Sequence, residues 1–152
     1  MGTLAVATQA RADDLMLPGS NCVKFSSGGT ATYNYSRIGN SSSTSAMSID
    51  CPVIDTGLLT QGVVVAFDRS TASNMTCALN NITWSETQPG IIFLQTKTTN
   101  STSGSANLPQ TIGASTNYTN MSFEYQYWSC SIPATSGGNI SYIGQYLTSH
   151  GG

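Results

Sequence analysis

The clearest regularity along the chain is an alternation. In Met121-Ser122-Phe123-Glu124-Tyr125-Gln126-Tyr127 every odd position is apolar and every even one polar, the two-residue period of a strand that lays one face on a core. This predicts a strand over residues 119–132 with Tyr125 and Tyr127 turned inward. Beyond Tyr127 the apolar set moves to Trp128, Cys130 and Ile132, a change of parity that predicts a bulge. Val63-Val64-Val65-Ala66-Phe67 has no polar face and predicts a strand in the middle of a sheet, covered on both sides. Met47, Ile49 and Cys51 share one face of another segment, and Met75, Cys77 and Leu79 one face of a further one.

Strand chemistry recurs over residues 21–27, 30–38, 46–52, 62–68, 75–84, 91–97 and 139–148, while the polar runs 41–45 and 98–105 read as loops. About eight or nine short antiparallel strands separated by turn signals predict an all-β domain, a β-sandwich or jelly roll.

Composition agrees with strands rather than helices. Only 8% of the 152 residues are charged, too few for the ion pairs that support surface helices, and Thr, Val, Ile and Tyr suit a pleated surface. With a net charge of −2 and five basic residues scattered singly (Arg11, Lys24, Arg37, Arg69, Lys97), no basic patch forms in sequence, which argues against nucleic acid. The longest apolar runs, 62–67 and 91–94, fall far short of the roughly 20 residues that cross a bilayer, so no membrane insertion is expected.

Four cysteines, Cys22, Cys51, Cys77 and Cys130, lie far apart with no CxxC pair. That spacing suits two disulfides better than zinc. Strand parity favours Cys51 with Cys77 and Cys22 with Cys130. Residues 1–12 run through small and apolar positions to Ala10-Arg11-Ala12, which reads either as a signal-peptide remnant or as an N-terminal strand extension over residues 3–8. Residues 13–152 form the expected single β-sandwich domain, secreted or displayed at the cell surface.

Catalytic chemistry is thinly represented. With one histidine, His150, two residues from the end, HExxH cannot be built and no Ser-His-Asp arrangement is indicated, so no enzyme activity is expected. No cofactor is implied; a loop calcium site through Asp50, Asp55 or Asp68 would lack the Asp-x-Asp-x-Asp-Gly signature. Among the aromatics Trp84, Tyr125, Tyr127, Trp128, Tyr142 and Tyr146, core packing competes with a stacking platform for sugar rings, and Trp84 and Trp128 are the candidates for an exposed carbohydrate-binding face. Eight Asn-x-Ser/Thr sequons, at Asn34, Asn40, Asn74, Asn81, Asn100, Asn117, Asn120 and Asn139, are candidate glycosylation sites.

Pro18-Gly19-Ser20-Asn21-Cys22-Val23, Ile49-Asp50-Cys51-Pro52-Val53, Val65-Ala66-Phe67-Asp68-Arg69, Cys77-Ala78-Leu79, Trp128-Ser129-Cys130-Ser131-Ile132-Pro133 and Ile140-Ser141-Tyr142-Ile143-Gly144-Gln145-Tyr146 together resemble a broad, poorly characterised group of small secreted bacterial proteins. The resemblance implies a signal peptide, two disulfides and a β-sandwich, and carries no activity. The many sequons and scarce charges depart from that group. Two functions fit these constraints. The first is a structural subunit of an extracellular fibre, surface layer or matrix, a homo-oligomer or polymer built by strand donation through residues 3–8. The second is a lectin-like carbohydrate-binding module.

Overall fold

The computed structural model describes residues 15–53, 59–84, 92–102, 108–115 and 124–150. Among these, eleven strands run in chain order: β1 (Leu15–Pro18), β2 (Val23–Lys24), β3 (Ala31–Asn34), β4 (Arg37–Asn40), β5 (Met47–Pro52), β6 (Leu59–Phe67), β7 (Thr76–Trp84), β8 (Ile92–Ser101), β9 (Gln110–Ser115), β10 (Glu124–Ile132) and β11 (Tyr142–His150). They form two antiparallel sheets. The first has the order β3-β4-β11-β6-β9, with β1 also paired to β11, and the second β2-β5-β10-β7-β8. The fold is thus an all-β sandwich with two disulfides, as the alternation and turn spacing predict.

The core lies between the inner faces of the two sheets. In the second sheet, Met47, Ile49 and Cys51 of β5 alternate with half-exposed Ser48, Asp50 and Pro52, and all three are buried against Cys77, Leu79, Trp128, Cys130 and Ile132. The first sheet contributes Ile38, Val64, Ala66, Ile112, Ile143 and Tyr146. Trp128 locks the layers together. A Cβ placed on Gly62 of β6 would stand 2.6 Å from Trp128 Cζ2, so only glycine leaves room for the indole. Overpacking of this kind costs about 1–3 kcal/mol. The Tyr146 hydroxyl, from the first sheet, donates to the Pro52 carbonyl of the second at 2.8 Å.

Several expectations are corrected here. The disulfides are Cys22–Cys51 and Cys77–Cys130, not Cys51–Cys77 and Cys22–Cys130. Val23 lies opposite Asp50 in the β2–β5 ladder, which brings Cys22 opposite Cys51, and Cys77 is the direct partner of Cys130 in the β7–β10 ladder. Each bridge therefore joins neighbouring strands of the same sheet on its inner face, where shared parity alone could not identify the partner. No bulge interrupts β10 near Tyr127: pairing with β5 and β7 continues without a shift. Trp128 takes the core face, so Tyr127 takes the outer one. The segment 30–38 is two strands, because Tyr35-Ser36 turns the chain back between β3 and β4. Strand β8 continues to Ser101, shortening the loop expected over 98–105. Strands β1 and β9 are additional. Residues 1–14, which include the expected strand over 3–8, lie outside the described residues.

Candidate functional site

The outer face of the first sheet is built from positions that alternate with the core. In β6, Val64 and Ala66 point inward, and Val63, Val65 and Phe67 take the opposite face, half-buried rather than covered. Phe67 lies directly across from Tyr142 of β11, which in turn pairs with Gly39 of β4. The two rings stack with centroids 4.7 Å apart and planes inclined by 24°, a cross-strand aromatic pair of the kind that stabilises sheets by up to about 1 kcal/mol.

Two glycines shape this surface. Gly144 is the extra residue of a β-bulge between Ile143 and Gln145, and a Cβ on it would meet the Phe67 ring edge at 3.1 Å. Gly39 forms the floor beside Tyr142: a Cβ there would stand 2.9 Å from Ile140 Cγ2 and 3.0 Å from the Ser141 carbonyl oxygen.

The arginines Arg37 and Arg69, scattered singly in sequence, meet on this face. The Arg37 guanidinium carbon lies 4.8 Å from the Tyr142 ring centroid and 5.1 Å from that of Phe67, within cation–π range. Its Nη1 donates to the Tyr142 hydroxyl at 2.9 Å. Arg69 approaches the same ring at 5.5 Å. A groove of about 370 Å³ is lined by Thr32, Asn34, Arg37, Gly39, Arg69, Ile140 and Tyr142. On the Phe67 side a second hollow of about 270 Å³ is lined by Ser36, Arg37, Val65, Phe67, Pro109, Gly144 and Gln145. Arg37 thus borders both depressions, and the stacked rings stand between them.

The backbone under Tyr142 and Arg69 is fixed by a buried polar network. Asp68 is fully buried. One carboxylate oxygen accepts from the Ser70 amide at 3.0 Å and the Ser141 hydroxyl at 3.1 Å. The other accepts from the Met75 amide at 2.9 Å and from the Thr102 hydroxyl. The Ser141 oxygen in turn accepts from the Arg69 amide at 2.8 Å and the Ser70 amide at 3.1 Å. Because Ser141 precedes Tyr142 and Asp68 separates Phe67 from Arg69, one carboxylate holds both halves of the aromatic pair and one of the arginines. With four donors directed at it, Asp68 is a structural group rather than a calcium ligand. Asp50 lies on the outer face of the other sheet, and Asp55 lies outside the described residues.

The sequence candidates fall differently from expectation. Trp128 is completely buried and cannot contact a sugar: it sits within β10 rather than at a strand end, and its indole fills the space Gly62 leaves. Trp84 ends β7, where its backbone alone is described. Of the aromatic set, Tyr146 belongs to the core and Tyr142 to the open face. Asn40 is also buried. Its amide nitrogen donates to the carbonyls of Ser45, Ile132 and Pro133, and its oxygen accepts from Thr30 and Ser42. No glycan fits there in the folded chain. Asn34, Asn74 and Asn139 are exposed, Asn81 and Asn100 lie within β7 and β8, and Asn117 and Asn120 lie outside the described residues. Phe67, Arg37 and Arg69 escaped sequence reasoning. Phe67 was hidden in an uninterrupted apolar run, and no local signal links the two arginines.

No family model matches the chain, and no curated protein does. Among solved structures, the chain is similar to the C-terminal CBM6 of LamC, a marine laminarinase from Zobellia galactanivorans, at TM-score 0.52 and 13% identity, covering 90% of this chain and 99% of that one. It is also similar to the CBM36-1 domain of a multidomain xylanase from the hindgut metagenome of Trinervitermes trinervoides, at TM-score 0.50 and 11% identity, covering 92% and 98%. A third likeness is to the Clostridium thermocellum xylanase 10B CBM22-1–GH10 modules complexed with xylohexaose, at TM-score 0.52 and 15% identity, covering 89% of this chain and 27% of that one. At these identities the likeness establishes the sandwich fold.

Proposed function

We propose that the protein is a non-catalytic, lectin-like carbohydrate-binding module that acts outside the cell. The observation that carries this reading is the stacked Phe67–Tyr142 pair on an open sheet face, with a groove on either side. A sugar ring offers an apolar C–H face and a rim of hydroxyls. Tyr142 and Ile140 supply the apolar surface in the larger groove, and Thr32, Asn34 and the arginines supply the hydrogen-bonding rim. The likeness to carbohydrate-binding modules supports this reading over a fibre or surface-layer subunit. Two formed disulfides are consistent with an oxidising, extracellular location.

Affinity electrophoresis against a panel of plant, algal and microbial polysaccharides tests the proposal. At least one should retard the native chain. Tyr142→Ala should weaken that retardation about tenfold, the equivalent of one lost aromatic contact. Free migration through every polysaccharide would overturn the proposal.

A further inference from the structure

The grooved face carries more positive charge than a neutral sugar requires. In a chain with a net charge of −2 and five basic residues, two of the five converge on one ring, with guanidinium carbons 4.8 and 5.5 Å from the Tyr142 centroid. The carboxylate nearest in sequence, Asp68, is turned into the core and occupied by other donors. Among the described residues neither arginine has a carboxylate partner, and the buried Nε of Arg69 has no acceptor. Two like charges gathered without a counter-charge raise the local potential and favour an anion.

Arg37 is also held in a fixed orientation. The aromatic rings and the Tyr142 hydroxyl constrain its guanidinium, leaving other N–H groups of a planar fork whose geometry matches a carboxylate or a sulfate. Because the chain is negative overall, it repels polyanions at a distance, so attraction on this face is local rather than a general ion-exchange property.

We infer that Arg37 and Arg69, set against Tyr142, bind the acid group of an anionic saccharide, a uronate carboxylate or a sulfate ester, with the sugar ring in the adjoining groove. This rests on the carbohydrate-binding reading above and narrows its ligand class.

Isothermal titration of the full chain tests it, with oligogalacturonate, a sulfated galactan oligosaccharide, and neutral xylo- and gluco-oligosaccharides of matched length. An acidic ligand should bind at least about tenfold more tightly than the neutral ones, more weakly as salt rises. Arg37→Gln and Arg69→Gln should each cost about tenfold in that affinity, with circular dichroism and Tm confirming that the variants fold. Preference for either acidic ligand supports the inference and identifies the acid group. Equal binding of neutral ligands, untouched by the arginine variants, overturns the inference and leaves the carbohydrate-binding reading standing. Acidic binding that survives both substitutions places the site elsewhere and overturns it as well. Absence of binding to any saccharide removes both readings.

Discussion

Asp50 illustrates how one side chain on the sheet opposite the grooves affects stability. It lies half-buried on the outer face of β5, between Val23 and Ser129 in the neighbouring strands. Burial pushes its carboxyl above the usual aspartate value, and a hydrogen bond from Ser129 offsets this only in part. The folded chain therefore holds the Asp50 proton more tightly than the unfolded chain does. Its contribution to stability is complete below the unfolded pKa and is lost as pH rises through the folded one. Asp50→Asn should accordingly raise stability at neutral pH, by less than about 1 kcal/mol because solvent screens a half-exposed group, and give no gain in acid. Urea unfolding at the two pH extremes measures both. That Asp50 faces outward was legible from its alternation with Ile49 and Cys51. Its partial burial was not, because that depends on which strands become neighbours, here β2 and β10.

Strands show the same division between what alternation reveals and what pairing decides. Parity placed Cys51 and Cys77 on core faces correctly, yet it could not distinguish a bridge between sheets from one within a sheet. The ladder registers β2–β5 and β7–β10 decide that question. Peptide mapping without reduction should recover Cys22–Cys51 and Cys77–Cys130 and no other pairing. Replacing both Cys77 and Cys130 by alanine opens a loop of sequence separation 53 and should cost about 4 kcal/mol in denaturant unfolding.

The β3–β4 hairpin was missed for a different reason. Its turn is Tyr35-Ser36, with Tyr35 at φ 54°, a left-handed conformation usually taken by glycine or asparagine. Without such a residue the segment read as one continuous strand. The bulge expected in β10 is absent because Tyr127 lies on the outer face, so the core parity of Trp128, Cys130 and Ile132 needs no shift there.

Fold class was the most legible property, since scarce charge, β-branched residues and regular turns all point to a sandwich. The site was nearly illegible, because it draws on β3, β4, the start of β11 and the end of β6, brought together only by sheet order. Asn34 connects sequence and site directly. It is an exposed sequon residue that lines the larger groove, so a glycan there would obstruct ligand entry. Protein from a glycosylating host with Asn34 occupied should bind saccharide several-fold more weakly than bare protein, and Asn34→Gln from the same host should recover the bare affinity. Mass spectrometry of occupancy alongside affinity electrophoresis checks this, and unchanged binding with the glycan present would exclude the groove as the entry face.

All four sulfurs belong to the layer away from the grooves, Cys22 immediately before β2 and the others within β5, β7 and β10. When denaturant separates the two layers, the oxidised chain keeps Cys22 beside Cys51 and Cys77 beside Cys130, so the unfolded ensemble still carries partial register for one layer and none for the other. Refolding of the oxidised chain then starts from an unequal position: the stapled layer has fewer alignments to search, and the ligand-facing layer must find its strand order against that surface.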